Sequence, residues 1–402
     1  MLRPQDCPDT SIRAAIPMRI ALIAPLAEAV PPKLYGGTER VVALLADELV
    51  RRGHRVTLFA SGESETAADL SICAPQSLRL AGIRDHLGST LAMLREVRRR
   101  ADEFDILHFH VDLLPQALFH DLAHKCIVTL HGRLDLPDAF PLYQAYPEMP
   151  LISISDAQRR PMPPDVNWLA TIPHGLAPRV CPFQPDGGGY LAFLGRISPE
   201  KCPDRAIEIA KLAGMPLKLA AKVDAADLAY FKTEIEPLLD HPLIEFIGEI
   251  GEAQKTEFLG KASALLFPID WPEPFGLVMI EAMSVGTPVI AWPNGSVQEV
   301  VVDGVSGRIV TTIEAAADAA RQVGRMDRRM VRAEFERRFT AERMGGAYLA
   351  AYRSLLTRAV AKTALNAKLS DSTLAPPAAP ADLPPAWEHV SQENLPALNP
   401  KV

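Results

Sequence analysis

Short apolar runs rich in β-branched residues alternate with stretches of helical spacing along most of this chain. The runs RIALIA (19–24) and HRVTLFAS (54–61) flank VVALLADELVRRG (41–53), whose apolar residues recur at helical spacing. Strand, helix and strand in this order form a βαβ unit, and such units build parallel sheets with right-handed crossovers. The sequence therefore predicts an α/β protein.

The alternation stops at PFQPDGGGY (182–190), whose Pro and Gly content is typical of a linker between domains, and then begins again. The other strands predicted before the linker are ILHFH (106–110), CIVTLH (126–131) and PLISIS (150–155). Those predicted after it are YLAFLG (190–195), PLKLAA (216–221), LIEFIG (243–248), ALLFP (264–268), PVIAW (288–292) and GRIV (307–310), with a helix over 204–214. The two series predict two doubly wound, Rossmann-like domains, whose strand ends meet at a shared ligand-binding crevice.

These patterns divide the chain into five predicted parts. They are an N-terminal extension (1–17), an N-terminal Rossmann-like domain (18–181), a C-terminal Rossmann-like domain (182–340), a C-terminal helix (341–365) and a Pro- and Ala-rich tail (366–402). We expect the helix to pack back toward the N-terminal domain. The tail has little periodicity, and its composition predicts disorder.

Composition narrows the class of protein. Of 402 residues, 48% are hydrophobic and 23% are charged, as in soluble globular enzymes, and the net charge of −7 argues against a nucleic-acid partner. The five cysteines are scattered without a C-x-x-C pair, which argues against a disulfide framework and fits a reducing compartment. The sequence shows neither an apolar run long enough to span a bilayer nor a secretory signal, so we expect a cytoplasmic protein, with peripheral membrane contact left open.

The stretch WPEPFGLVMIEAMSVGTPVIA (271–291) carries the most specific pattern. It places seven residues between Glu273 and Glu281, and the loop PEPFG leads into a helix that is predicted to begin near Gly276 or Leu277. The first amides of such a helix have no partner within the helix and can bind phosphate oxygens or sugar hydroxyls. Glu281 can accept hydrogen bonds from a ribose diol. The alternative is a pair of surface glutamates on an amphipathic helix.

Two further motifs point to an anionic ligand. In GRISPEK (195–201), Arg196 and Lys201 follow a strand and can stabilise the charge of a diphosphate without a metal ion. In YGGTER (35–40), Gly36 and Gly37 allow an anion to approach the backbone at a helix start. Solvated side chains and a flexible loop are the alternatives.

The histidines offer two interpretations. His131 ends a predicted strand before Gly132 and should project into the crevice, the alternative being a partly buried histidine whose nitrogens are satisfied within the protein. His120 and His124 stand at helical i, i+4 spacing within a run of five histidines from His108 to His131, which raises a metal-dependent hydrolase as an alternative. The glutamate of an H-E-x-x-H motif is missing, so we expect no metal site.

Together these motifs resemble the retaining glycosyltransferases of the GT-B fold, specifically family 4. The resemblance rests on the E-x7-E spacing, the G-R-x-x-x-x-K element and the glycine loop, and it covers roughly residues 18–365. TLHG (129–132), SISDAQ (153–158) and SVQEVVVDGVSG (296–307) also have counterparts in that family. The YGGTERVV form is similar to a bacterial subgroup that includes antibiotic-tailoring glycosyltransferases.

The resemblance implies that the N-terminal domain binds an acceptor and the C-terminal domain a nucleotide-sugar donor. It implies retaining transfer of a hexose, UDP-hexose being favoured, to an unidentified hydroxyl of a small molecule, a glycan or a lipid-linked acceptor, with no metal or other cofactor. The implied catalytic residues are His131, Arg196, Lys201 and Glu273. The implied donor-binding residues are Gly36, Gly37, Arg196, Lys201, Glu273, Phe275, Gly276, Leu277 and Glu281.

Other functions remain open on the sequence. A nucleotide-sugar epimerase or a phosphorylase of the same architecture, or a non-catalytic nucleotide-sugar-binding protein, would share these motifs. His110 is expected on the acceptor side of the crevice. His174 stands where the family often has asparagine, and neither it nor Lys222 has a settled contact with the donor. Glu299 resembles a glutamate that is often found in this C-terminal loop of the family, or it caps a helix instead.

Overall fold

The computed structural model describes residues 16–33, 36–178 and 182–371. One compact unit spans residues 1–359 and holds both sheets, and a second unit spans 360–402. Of the predicted N-terminal extension only residues 16 and 17 are described, and the tail beyond Asp371 lies outside the described residues. Within the described ranges, no helix is long and apolar enough to cross a membrane.

The N-terminal domain is built on a parallel sheet of seven strands in the order β3-β2-β1-β4-β5-β6-β7. The strands are β1 (Arg19–Ile23), β2 (Arg55–Ser61), β3 (Asp69–Ala74), β4 (Ile106–Phe109), β5 (Cys126–Thr129), β6 (Leu151–Ser153) and β7 (Trp168–Thr171). The strand order reverses beside β1, which creates the crevice that the doubly wound prediction requires.

The helices of this domain are α1 (Gly37–Arg51), α2 (Leu87–Arg99), α3 (Leu114–Phe119), α4 (Phe140–Ala145) and α5 (Asp156–Arg159). Helix α1 buries Val41, Leu45 and Leu49 completely, because positions four apart lie on one face. It ends at Arg51, and Gly53 follows with a φ of +84° that favours glycine. The predicted helix over 41–53 is thus present, and it begins four residues earlier, at the glycine loop.

The C-terminal domain repeats the plan with six parallel strands in the order β10-β9-β8-β11-β12-β13. The strands are β8 (Leu191–Arg196), β9 (Leu217–Lys222), β10 (Ile244–Gly248), β11 (Ala264–Phe267), β12 (Val289–Ala291) and β13 (Gly307–Ile309). The helices are α6 (Pro203–Ala213), α7 (Leu228–Tyr230), α8 (Glu252–Gly260), α9 (Leu277–Ser284), α10 (Val297–Val300), α11 (Ile313–Gln322) and α12 (Arg328–Arg338).

The last helix among the described residues, α13, spans Ala341–Asp371 and so runs six residues beyond the predicted end at 365, into the segment predicted as a tail. Its N-terminal part packs on the core of the N-terminal domain through a row of buried side chains that includes Met344, Tyr348 and Tyr352. The chain therefore returns to the N-terminal domain after completing the C-terminal one. Just before α13, Thr340 pairs with Leu176, so the two segments that join the domains touch each other.

A buried polar network fastens α13 to the N-terminal sheet. The Nδ1 of His108 lies 2.8 Å from the hydroxyl of Tyr352, and its Nε2 lies 2.8 Å from the hydroxyl of Thr129. The hydroxyl of Tyr348 lies 3.2 Å from that of Thr129. Both ring nitrogens of His108, a fully buried side chain, therefore have partners, as buried polar groups require.

We predict that Tyr352→Phe destabilises the protein more than Tyr348→Phe does. The first change leaves a buried nitrogen of His108 without a partner, which costs about 1–3 kcal/mol, whereas Thr129 still bonds His108 after the second change. Urea unfolding of the two variants, which lose the same hydroxyl from neighbouring buried tyrosines, measures the difference. Equal losses of unfolding free energy would contradict the prediction.

Candidate active site

A cavity of about 860 Å³ lies between the two domains at the carboxyl ends of their strands. The structure brings every predicted site residue to its lining: Gly36, Gly37, His131, Arg196, Lys201, Glu273, Phe275, Gly276, Leu277 and Glu281. His174 and Lys222 also line it. His110 and Glu299 are not among the lining residues, and their contacts are described below.

The loop before α9 is held in a specific conformation by close backbone packing. Gly276 precedes the helix in the left-handed region, with a φ of +75°. The loop is closed from the other side by Gly295, where a Cβ atom would overlap the backbone of Glu273, and by Ser296, whose amide donates to the Glu273 carbonyl at 2.9 Å. The first amides of α9 and the carboxyl of Glu273 consequently face the same cavity.

Glu273 is compensated by a cation of its own domain. Its Oε2 pairs with the Nζ of Lys201 and accepts a hydrogen bond from the indole of Trp271 at 3.1 Å. The same ammonium lies 4.6 Å from the centroid of the Trp271 ring, within cation–π range. Since Glu273 and Lys201 are both largely buried, the pair fixes the position of each charge in the cavity.

Glu281 is compensated from both domains. Its Oε1 pairs with the guanidinium of Arg40, in α1 of the N-terminal domain, and lies 3.4 Å from the Nζ of Lys255, in α8. Arg40 also pairs with Glu252 at 2.6 Å. Burial alone would raise the pKa of Glu281, but the two cations outweigh burial and bring it to about 2. The carboxylate is therefore ionised at neutral pH.

Arg196 lies among carboxylates at the end of β8. It pairs with Glu200, and Asp227 and Asp224 lie 3.5 and 4.0 Å from its guanidinium. About a third of the Arg196 and Glu200 side chains is exposed, so this pair is worth only about 0–1 kcal/mol and can exchange for a ligand anion. The sequence predicted two cations at the site, and the structure adds that both already have acidic partners.

The predicted site histidine lies in a row of buried imidazoles. His131 stacks on His174 with 5.3 Å between ring centroids, and its Nε2 lies 2.8 Å from the Nδ1 of His110. His174 in turn contacts the ring of Phe275 edge-on at 4.9 Å. Burial lowers the pKa of His131 to about 3 and the pKa of His110 and His174 well below the usual value, so these rings are neutral at physiological pH.

The helical spacing assumed for His120 and His124 is wrong. His120–Leu122 forms a 3₁₀ turn and a non-helical turn follows, because α3 ends at Phe119. The Nδ1 of His120 instead lies 3.5 Å from Glu148 on the surface. Among the residues that the structure describes, no group of three or more His, Cys, Asp or Glu side chains is placed to hold a metal ion.

Glu299 caps a helix of the opposite domain. Its two carboxylate oxygens accept from the amides of Asp156 and Ala157, at 2.7 and 2.6 Å, at the start of α5. Nearby, the hydroxyl of Ser155 donates to the carbonyl of Pro274 at 2.6 Å. Of the two alternatives that the sequence left open for Glu299, the structure shows the cap, and this contact joins the two domains beside the PEPFG loop.

Sequence reasoning missed Arg40 and Lys255 as parts of the site. Arg40 stood in a recognised motif, yet its partner Glu281 lies 241 positions away, so no local spacing indicates the pair. Lys255 belongs to GEAQK, a stretch that resembles a surface segment. Only its positive charge could have indicated that it belongs to the site. Trp271 begins the E-x7-E stretch, but the spacing of the two glutamates indicates no role for it.

Comparison with known proteins places this architecture in a family. A model described as Glycosyltransferase Family 4 matches residues 35–180, and one described as Glycosyl transferases group 1 matches residues 182–337. A phosphatidyl-myo-inositol mannosyltransferase of Mycolicibacterium smegmatis is 26% identical over 348 residues, covering 79% of this chain and 87% of the relative. A D-inositol 3-phosphate glycosyltransferase of the same organism is 33% identical over 132 residues, 30% of this chain and 28% of the relative.

Solved structures agree on the fold. AviGT4, a glycosyltransferase involved in avilamycin A biosynthesis, is 25% identical with a TM-score of 0.65, covering 85% of this chain and 98% of that one. Sucrose-phosphate synthase from Thermosynechococcus elongatus is 20% identical with a TM-score of 0.67, covering 85% of this chain and 100% of that one. The two facing Rossmann-like domains are thus the GT-B fold.

We predict that Gly295→Ala costs more stability than Gly214→Ala. Both glycines have positive φ, +60° and +68°, so each alanine costs about 1–2 kcal/mol of backbone strain. At Gly214 nothing lies within 4 Å of the added carbon, whereas at Gly295 the carbon meets the backbone of Glu273. Chemical denaturation compares the two, and a smaller loss for Gly295→Ala would contradict the described packing.

We also predict a pH dependence from the buried histidines. The unfolded chain binds a proton on each histidine below about pH 6.5, whereas the folded protein keeps His174 neutral, so the unfolding free energy falls as the pH drops. His174→Gln should reduce the loss between pH 7.5 and 5.5 by about 1.4 kcal/mol. His120→Gln, at an exposed position, controls for the substitution itself, and urea unfolding at both pH values compares the two variants with the wild type.

Proposed function

The chain belongs to the family 4, or group 1, glycosyltransferases, and from this premise we propose that it moves a hexose from a nucleotide-diphosphate donor to a hydroxyl acceptor with retention of configuration. The observation that carries the proposal is the convergence of three distant motifs, YGGTER, GRISPEK and PEPFG, on one cavity between the domains. We favour UDP-hexose, on the resemblance of the YGGTER loop to the bacterial subgroup, and that subgroup stays a prediction.

We propose that Glu281 binds the ribose of the nucleotide and that Glu273 binds the transferred sugar. Arg40 and Lys255 both pair with Oε1 of Glu281, which leaves Oε2 as the acceptor for a ribose diol. Likewise, Lys201 and Trp271 both contact Oε2 of Glu273, and the hexose hydroxyls are assigned to Oε1. The first amides of α9, from Leu277 onward, lie beside Glu273 and add donors for the same hexose.

The diphosphate is assigned to Arg196, Lys201 and the glycine loop. As the bond between sugar and phosphate breaks, negative charge grows on the leaving group, and fixed cations stabilise that charge more than they stabilise the bound donor. The weak pair between Arg196 and Glu200 can open for a phosphate oxygen. Lys201 is held over the Trp271 ring and needs no rearrangement to face the cavity. This arrangement supports transfer without a metal ion.

In this proposal the acceptor enters the cavity from the side of the N-terminal domain. Its hydroxyl belongs to a small molecule, a glycan or a lipid-linked molecule. Our assignment gives no carboxylate the task of a covalent nucleophile, because the remaining oxygens of Glu273 and Glu281 are already assigned to the hexose hydroxyls and to the ribose diol. We therefore propose that an oxygen of the departing phosphate removes the acceptor proton on the same face of the sugar, which gives retention. Exclusion of water by the closed domains would limit hydrolysis.

The first experiment is thermal unfolding with UDP, GDP and ADP, each with magnesium or with EDTA. A nucleotide at 100 times its dissociation constant should stabilise the protein by about 2.7 kcal/mol. We expect only one of the three nucleotides to stabilise the protein, and we expect the same stabilisation with EDTA as with magnesium. Transfer from the matching sugar donor to a panel of acceptors then gives the product, whose anomeric configuration NMR assigns. Loss of the shift in EDTA would contradict metal independence.

Variants separate binding from chemistry. Lys201→Met should lower kcat about 10²- to 10³-fold, because it removes a charge aimed at the leaving group. Glu281→Gln should mainly raise the KM for the donor, by about tenfold. Lys261→Met removes an exposed surface lysine paired with Glu257 and serves as the control with unchanged kinetics. Near-normal kinetics in both site variants would contradict the assigned roles.

The same assays distinguish the other functions of this architecture. Product formed without an acceptor would indicate an epimerase, and dependence on inorganic phosphate would indicate a phosphorylase.

A further inference from the structure

Helix α1 of the N-terminal domain packs against α9 of the C-terminal domain across the cleft. Gly37, Arg40 and Leu44 lie three and four positions apart, so they share one face of α1. A Cβ atom at Gly37 would lie 3.2 Å from a methyl carbon of Leu277, the first residue of α9. Leu44 and Leu277 each pack against the hydrophobic cores of both domains. Arg40 lies between these contacts and lines the cavity beside α9.

The guanidinium of Arg40 contacts two acidic residues of the C-terminal domain. Its Nη2 pairs with Oε1 of Glu281 in α9, and its Nη1 lies 2.6 Å from Oε2 of Glu252 in α8. Because a guanidinium is planar and rigid, two partners fix its orientation as well as its position. Arg40 is also buried, so water screens its pair with Glu281 less than it screens a surface pair.

These contacts determine which oxygen of Glu281 is available to a ligand. Arg40 and Lys255 both pair with Oε1, and they approach it from helices of different domains. Burial raises the pKa of Glu281, and Arg40 lowers it more than Lys255 does. Within the described residues Oε2 makes no hydrogen bond, and it is open to solvent rather than enclosed. Since Glu281 lines the cavity, Oε2 is the oxygen that a bound nucleotide can reach.

We propose that Arg40 is a positioning residue of the donor site, which holds Oε1 of Glu281 from the opposite domain and thereby presents Oε2 to the ribose diol. The inference rests on the proposed function for the ribose contact itself. It adds that a residue of the N-terminal domain determines how strongly the C-terminal domain prefers a ribonucleotide. With the two domains apart, Glu281 would keep only Lys255 as a cationic partner.

A direct contact between Arg40 and the diphosphate is the competing arrangement. It would require Arg40 to leave Glu281, and a buried carboxylate that loses a cation is destabilised. The two arrangements also differ in selectivity. A positioning role affects only ligands that carry the ribose hydroxyls, whereas a phosphate contact affects every nucleoside diphosphate to the same extent.

The experiment compares nucleotides with and without the diol. Isothermal titration calorimetry gives dissociation constants for UDP, GDP and ADP and for their 2′,3′-dideoxy forms, which keep the base and the diphosphate. We expect the wild type to bind its preferred ribonucleotide about tenfold to a hundredfold more tightly than the dideoxy form, because hydrogen bonds to an ionised group are strong. In Arg40→Met this preference should fall below about threefold, close to that of Glu281→Gln, while the affinity for the dideoxy form changes little.

Matched variants separate positioning from folding. Arg40→Lys keeps a cation for Oε1 and should retain more of the preference than Arg40→Met. Arg51→Met removes an exposed arginine of the same helix, paired with Glu48, and should leave the preference at the wild-type value. Glu252→Gln removes the second partner of Arg40 at a half-exposed position and should lower the preference partway. Melting temperatures check that each variant is folded.

The outcomes distinguish this inference from the proposed donor site. If Glu281→Gln loses the preference and a folded Arg40→Met keeps it, the ribose contact stands and the positioning role is overturned. An equal loss of affinity for both nucleotide forms in Arg40→Met would overturn it in favour of the phosphate contact. Should Arg40→Met fail to fold, an unchanged preference in Glu252→Gln would overturn it instead. A wild type that makes no distinction would refute the ribose contact, and the inference with it.

Discussion

Two buried carboxylates, Glu273 and Glu281, determine how the parts of this structure are placed around the cleft. An ionised carboxylate taken out of water costs several kcal/mol unless a cation and hydrogen bonds compensate it. The compensating groups come from elements that are otherwise independent. Lys201 follows β8, Lys255 belongs to α8, and Arg40 belongs to α1 of the other domain. The position of α9 is therefore coupled to both sheets, and one of the ion pairs that hold it crosses the cleft between the domains.

That coupling bears on how a donor would enter. Arg196, Lys201 and Arg40 are each paired with a carboxylate, so an anionic ligand would exchange with these carboxylates rather than meet bare positive charge. Exchange is easy at Arg196, where solvent reaches the pair, and costly at Glu281, where removing one partner leaves a buried charge. A free phosphate gains little from such a site, whereas a whole nucleotide sugar contacts several elements at once. Selectivity for the complete donor would follow from this difference.

The sequence predicted the central strands well because parallel strands are buried on both faces and show as continuous apolar runs. The edge strands β3 and β7 were missed, since DLSICA and WLAT are partly exposed and resemble other surface segments. At the site, the E-x7-E spacing indicated both glutamates because it is local. The pair between Arg40 and Glu281 joins residues 241 positions apart, and the capping of α5 by Glu299 joins residues 143 positions apart, so only the fold reveals them. The i, i+4 spacing of His120 and His124 misled because it assumed a helix that had already ended at Phe119.

The return of α13 to the first domain has a consequence for the order in which the protein forms. A ribosome releases the N-terminal sheet first, and domains generally fold as units in the order of synthesis. Here the core of that first domain includes Met344, Tyr348 and Tyr352, which are made only after the whole C-terminal domain. During translation the emerging N-terminal domain therefore exposes an apolar groove, and the hydroxyl that bonds His108 is still to come. The domain that is synthesised first is completed last, because part of its core is made only with α13.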